Sequence, residues 1–187
     1  MRRAAAIGLT TVIIALAAPA GAHERLLVPE LPGWRVVSSH TDATADVSEL
    51  IPGHETDESW TRRFTVQAYR NSPMTVAAFL DGLADRAAEA CDGSAVEPIN
   101  PVAVGIMEAG RRGVACCRYH GDGKGSYSLF YALRGRDALY VVAFAWRGTP
   151  FRPGTLPMAL SELADWNSEL DHVSLCDDSD PNLPCPR

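Results

Sequence analysis

Cys91, Cys116, Cys117, Cys176 and Cys185 are the residues of this chain best suited to covalent chemistry. An odd set of five forms two bridges in an oxidising compartment and leaves one thiol over. Cys116-Cys117 lacks the C-x2-C spacing by which two thiolates reach one tetrahedral ion, and no C-x-x-C redox motif is present. Structural disulfides are therefore the expectation. A leftover thiol would need a base to become a nucleophile, and His120 is the near one in sequence. On a strand, however, Cys117 and His120 face opposite sides, and Cys116 and His120 share a face but stand about 13 Å apart. A buried structural thiol is the better reading.

Metal chemistry has one candidate, His23. Arg2 and Arg3 precede an apolar run over residues 4–18, and Ala20-Gly21-Ala22 ends it with the A-x-A spacing of a signal-peptidase site. Cleavage there exposes the α-amine and imidazole of His23 together, the start of a copper histidine brace. The further imidazole would come from His40, His54, His120 or His172, of which no two have ligand-like spacing.

Other motifs fail on their own geometry. Gly121-Asp122-Gly123-Lys124-Gly125-Ser126 places Gly125 between the lysine and the hydroxyl that a phosphate loop needs side by side, so it reads as a hairpin turn. Asp178, Asp180 and Asn182 begin like a calcium loop but have Leu183 at the glycine position. Glu55, Asp57 and Glu58 supply paired carboxylates that read as solvated loop charges. No G-x-S-x-G elbow or S-x-x-K motif occurs, Lys124 being the only lysine. Trp34, Trp60, Trp146 and Trp166, with Tyr127, Tyr131 and Tyr140, fall within apolar patterns and read mainly as core. No cofactor is implied.

The leader sets the boundaries. Residues 1–22 read as a signal peptide, too short in its apolar part for a membrane span. Residues 23–173 read as one domain, and residues 174–187 as a tail clipped by Cys176 and Cys185. Removing 22 of 187 residues leaves 165. The leader takes two of 17 basic residues and none of 23 acidic ones, so the net charge moves from −6 to −8. Such an acidic chain lacks the cationic footprint that nucleic acid requires. The expected location is periplasmic or secreted.

Elements that position these residues follow from periodicity. Residues 23–32 read as an extended lead-in, 33–37 and 49–53 as short strands, and 39–46 as an exposed loop. In 60–70, Phe64, Val66 and Ala68 alternate with Thr65, Gln67 and Tyr69, the period of a half-buried strand. Ser72 as N-cap and Pro73 as first residue predict a helix with Val76, Phe79, Leu80, Leu83, Ala87 and Cys91 on one stripe. A four-strand meander is predicted over about 102–108, 113–120, 126–134 and 138–146. A second helix follows, with Ala159, Leu163, Trp166, Leu170 and Val173 on one face. Cys91, at the end of the first helix, should meet Cys116 or Cys117. The predicted fold class is α+β: an antiparallel sheet of five to six strands with both helices on one face.

That element order, over residues 31–173, resembles the PsbP-like fold of an extrinsic photosystem II subunit and its bacterial secreted relatives. Glu49-Leu50-Ile51-Pro52-Gly53-His54-Glu55 with Ser59-Trp60-Thr61, and Cys176-Asp177 with Pro184-Cys185-Pro186, look like uncharacterised secreted proteins of proteobacteria. The resemblance implies an accessory role and brings no catalytic residues. Two functions follow as expectations. The first is a non-enzymatic module that meets another envelope or secreted protein through the sheet face or loops. The second is a small-ligand or metal binder, with copper at His23.

Overall fold

The computed structural model describes residues 24–102 and 107–186. The leader, His23 and four residues of the first predicted meander strand lie outside the described residues. In chain order the elements are β1 (Glu24–Leu27), β2 (Trp34–Thr41), β3 (Ala45–Pro52), β4 (Arg62–Arg70), α1 (Val76–Ala90), β5 (Ser94–Val96) and β6 (Asn100–Pro101). Then come β7 (Ala109–Cys116), β8 (Gly125–Arg134), β9 (Ala138–Gly148), α2 (Leu160–Asp171) and β10 (Ser174–Asp177).

The class is α+β, but the sheet is wider than predicted. Eight strands form one antiparallel sheet in the order β2-β3-β4-β9-β8-β7-β5, with β6 also on the edge of β7. The predicted meander is realised as β7-β8-β9. In the described part of its expected first strand there is a bridge at Met107, and the short β6 lies just before it. Residues 39–46, read as a loop, are the ends of β2 and β3 joined at Asp42, whose Oδ1 accepts from Thr44 N and Ala45 N. Most of β2 is exposed on both faces because it is the sheet edge, so it carries no hydrophobic alternation.

The helices lie on opposite faces of the sheet, not on one. On β9, Leu139 and Val141 join Val76, Phe79, Leu80 and Leu83 of α1 in one cluster. Their neighbours Tyr140, Val142 and Phe144 point the other way and join Trp166 and Leu170 of α2. Phe144 and Trp166 stack with ring centroids 5.4 Å apart. Consecutive strand residues alternate faces, so the two clusters are two cores. β9 is accordingly buried at every position from Ala138 to Phe144.

Local chemistry sets the helix ends. Helix α1 starts at Val76 rather than near Ser72, because Thr75 is the cap: its Oγ1 accepts from Ala78 N at 3.1 Å. Ser72 instead accepts from Met74 N within the lead-in. The helix stops at Cys91, which takes an extended conformation, and Gly93 follows with φ +78°.

A disulfide joins Cys91 to Cys116 on β7, and a second joins Cys176 to Cys185. Two bridges fit an exported protein. Cys117 is the free thiol, buried beside Gly93, and burial pushes it above the ordinary thiol range.

Lead-in and tail are not separate appendages. β1 and β10 pair antiparallel, with Arg25 opposite Cys176. The buried Glu24 carboxylate accepts from Arg136 N at 2.8 Å and Asp137 N at 3.3 Å, in the turn between β8 and β9. From the same turn, the Arg136 guanidinium pairs with buried Asp177 at 2.7 Å. This small sheet is therefore pinned to the large one at both of its strands.

Candidate interaction surface

Helix α1 packs on β5, β7 and β8 and reaches the start of β9. It leaves the rest of its own sheet face uncovered. By register that surface presents Arg63, Thr65 and Gln67 from β4, Ala145 and Arg147 from β9 around a buried Ala143, and Ser126 and Ser128 from β8. Its centre is made of short side chains, so it is flat.

One edge of this surface carries an aromatic-cationic cluster. The Arg63 guanidinium lies 4.2 Å from the centroid of the Trp60 ring and that of Arg147 lies 5.1 Å away. Both arginines are already held in place: Arg63 Nη1 donates to Glu49 Oε1 at 2.8 Å, and Arg147 pairs with Asp122. Arg147, through its hydrogen bond and charge, helps hold the Asp122 carboxyl below the usual carboxylate range. The Trp60 backbone is set by Glu55. That carboxylate accepts from Thr61 N at 2.8 Å, from the Thr61 hydroxyl, and from Arg62 N at 3.3 Å. Burial acts to raise Glu55, and these hydrogen bonds overcome it, keeping the carboxyl below its ordinary range.

The structure scatters the other candidates from the sequence. His40 meets Asp42 at 3.1 Å and His120 meets Asp92 at 3.0 Å, both in water. Among the described residues no group of three or more His, Cys, Asp or Glu side chains is disposed to hold a metal. His23, the copper candidate, lies outside the described residues. Asp180 accepts from Asn182 N and Nδ2, and Arg25 pairs with Asp178, so two of the calcium-like residues shape or brace the tail. The glycine-rich loop is the hairpin between β7 and β8, with Asp122 Oδ1 accepting from Lys124 N at 2.9 Å and Gly123 at φ +70°. Tyr127, Tyr131, Tyr140 and Trp166 are core, as read. Trp60 is the aromatic that periodicity mislabels, because it precedes its strand and stands on the open face.

A concavity elsewhere on the molecule was not legible in the sequence. Between β5 and β6 the chain leaves the edge of β7, opening a cleft of about 80 Å³ toward Leu163 and Asn167 of α2. Arg111 and Tyr127 form part of its wall. The Tyr127 hydroxyl donates to Glu97 Oε1 at 2.9 Å. Burial first, then this bond and the Glu97 charge, push the Tyr127 hydroxyl well above its ordinary range.

No protein-family description matches the chain, and no curated protein matches it. Solved structures similar to it include the following two. One is the immunity protein TplEi of the T6SS from Pseudomonas aeruginosa, complexed with "L" peptide. It is 16% identical with a TM-score of 0.44, over 81% of this chain and 58% of that one. This chain thus spans less than two thirds of that protein's length. The other is LpqN, involved in cell envelope biogenesis of Mycobacterium tuberculosis, 10% identical with a TM-score of 0.43, over 83% of this chain and 85% of that one.

Proposed function

We propose that this chain is an exported, non-enzymatic interaction module that grips another protein of the cell envelope through the open half of its sheet. The Trp60–Arg63–Arg147 cluster carries this reading. Tryptophan and arginine are the side chains that most often dominate binding energy at protein interfaces. Here Glu49 and Asp122 fix the two guanidiniums beforehand, which lowers the entropy lost when a partner docks. The flat floor of alanines and serines beside the cluster suits the broad surface of a protein better than a small molecule. Two disulfides keep such a module folded outside the reducing cytoplasm.

The test uses a photo-crosslinking residue at Ser128 on the open face and, as control, at Asp85 on the exposed side of α1. Expression is in a host envelope containing native partners. A single dominant adduct from position 128, absent from position 85 and lost in Trp60→Ala and Arg147→Ala, is the expected result. Truncating a true anchor of this kind weakens binding by about 2 kcal/mol or more, some thirtyfold. Equal adducts from both positions, or an adduct indifferent to Trp60, would sink the reading.

A further inference from the structure

We infer that the cleft between the β7 edge and α2 binds a small molecule bearing both a carboxylate and an amine. The guanidinium of Arg111 is the first reason. Its side chain is only 10% exposed, yet one firm hydrogen bond serves it, Nη2 to Asp171 Oδ1 at 2.7 Å. Nη1 has only long contacts to Asn167, 3.4 Å to the carbonyl and 3.5 Å to Oδ1, and Nε has no partner among the described residues. A guanidinium offers five N–H donors, and a buried cation with most of them unsatisfied is unfavourable. The Tyr131 ring, 5.1 Å away, braces the group without accepting its donors as a carboxylate would.

A ligand carboxylate supplies what is missing. It can take the donors that Asn167 meets only at long range and can compete with Asp171, which is itself largely in water. Glu97 lines the same cleft with the opposite charge. Its Oε1 is oriented by the Tyr127 hydroxyl at 2.9 Å. Gly113 makes this bond possible, since a Cβ there would stand 2.5 Å from that hydroxyl and from Glu97 Cδ. A cation-seeking carboxylate and a carboxylate-seeking cation in one cleft of about 80 Å³ match a compact compound that carries both charges, such as a small amino acid. Leu163 and Leu129 leave a small apolar wall for its side chain.

The experiment is a titration of the ¹⁵N-labelled mature chain with alanine and leucine, with acetate and methylamine as single-charge controls. Saturable shifts of the Gly113 and Asn167 amides with the amino acids, about tenfold tighter than with acetate, are expected. Glu97→Gln changes an exposed residue and leaves the fold intact; it should abolish the preference for amino acids over acetate. Asp171→Asn frees Arg111 and should tighten acetate binding. Arg111→Lys should weaken every carboxylate probe at least about tenfold, read only if its spectrum remains dispersed. Absence of saturation by either amino acid at millimolar concentration overturns the inference, as does binding that Glu97→Gln and Asp171→Asn leave unchanged.

Discussion

Gly113 shows how one residue type can decide whether a site exists. Its neighbours on β7 and β8 carry side chains that fill the layer under α2, and at this position even a methyl group has no room. Gly113→Ala must break the Tyr127–Glu97 hydrogen bond or push the chain at Glu97 outward. Overpacking of this kind costs about 1–3 kcal/mol. The urea midpoint should fall by that energy divided by the slope, with the slope itself unchanged. Combining Gly113→Ala with Tyr127→Phe should then cost less than the two single changes together, because both remove the same bond. Simple additivity would mean that glycine is required there for some other reason. The sequence places Gly113 at the start of a strand but does not mark it as needing to be glycine, since the clash depends on a tyrosine from the next strand and a glutamate from the sheet edge.

Among the elements, those with local signals were the legible ones. The 3.6-residue stripe of α1, the alternation of β4 and the α2 stripe at Trp166 and Leu170 each reflect burial on one side, and each is present in the structure. The placement of the helices went wrong at β9, whose apolar run from Ala138 to Ala145 has no alternation. A strand of that kind is buried on both faces and implies cover on each side, so the signal for two opposed helices was there to be read. The pairing of β1 with β10 had no such signal, because it joins segments about 150 residues apart and is fixed by Glu24 in a distant turn. The cysteines reported their own pairing except for the choice between Cys116 and Cys117, which register decides. The two bridges should differ in the reach of their effects. By loop-closure entropy, removing Cys91–Cys116 costs about 3.5 kcal/mol and removing Cys176–Cys185 about 2.7 kcal/mol. Hydrogen exchange separates them: loss of the first should lower protection throughout the sheet, and loss of the second should free mainly β1 and β10. Uniform loss of protection in the tail variant would show that the small sheet is integral to the main core.

For the molecule as a whole, burial of ionisable groups predicts a stability window bounded on both sides. Tyr69, Tyr127, Tyr131 and Tyr140 all have hydroxyls raised above the ordinary range, in each case first by burial, and Cys117 is raised for the same reason. The unfolded chain releases these protons near pH about 8.5 for the thiol and about 10 for the phenols, while the folded chain keeps them. Between the two values the unfolded state binds fewer protons, so stability is full below that range and falls as pH rises through it. The acid side has the opposite sign. Asp177 is lowered by the Ser179 hydroxyl and amide and by Arg136, and Asp122 by Arg147 and the Lys124 amide. Their contribution is present above about pH 4 and disappears as pH drops below it. Urea midpoints measured across pH should therefore be flat from about 4 to about 8 and decline on either side. On the alkaline limb, tyrosinate absorbance should rise together with the loss of far-ultraviolet circular dichroism, because the phenols ionise only as the layers separate. Tyr140→Phe should move that limb to higher pH relative to its own neutral stability, and Asp177→Asn should flatten the acid limb. Ionisation of the buried Tyr127, Tyr131 and Tyr140 with the dichroism intact would mean that water already reaches the layers around the central strands, against the close packing on which both proposed surfaces rest.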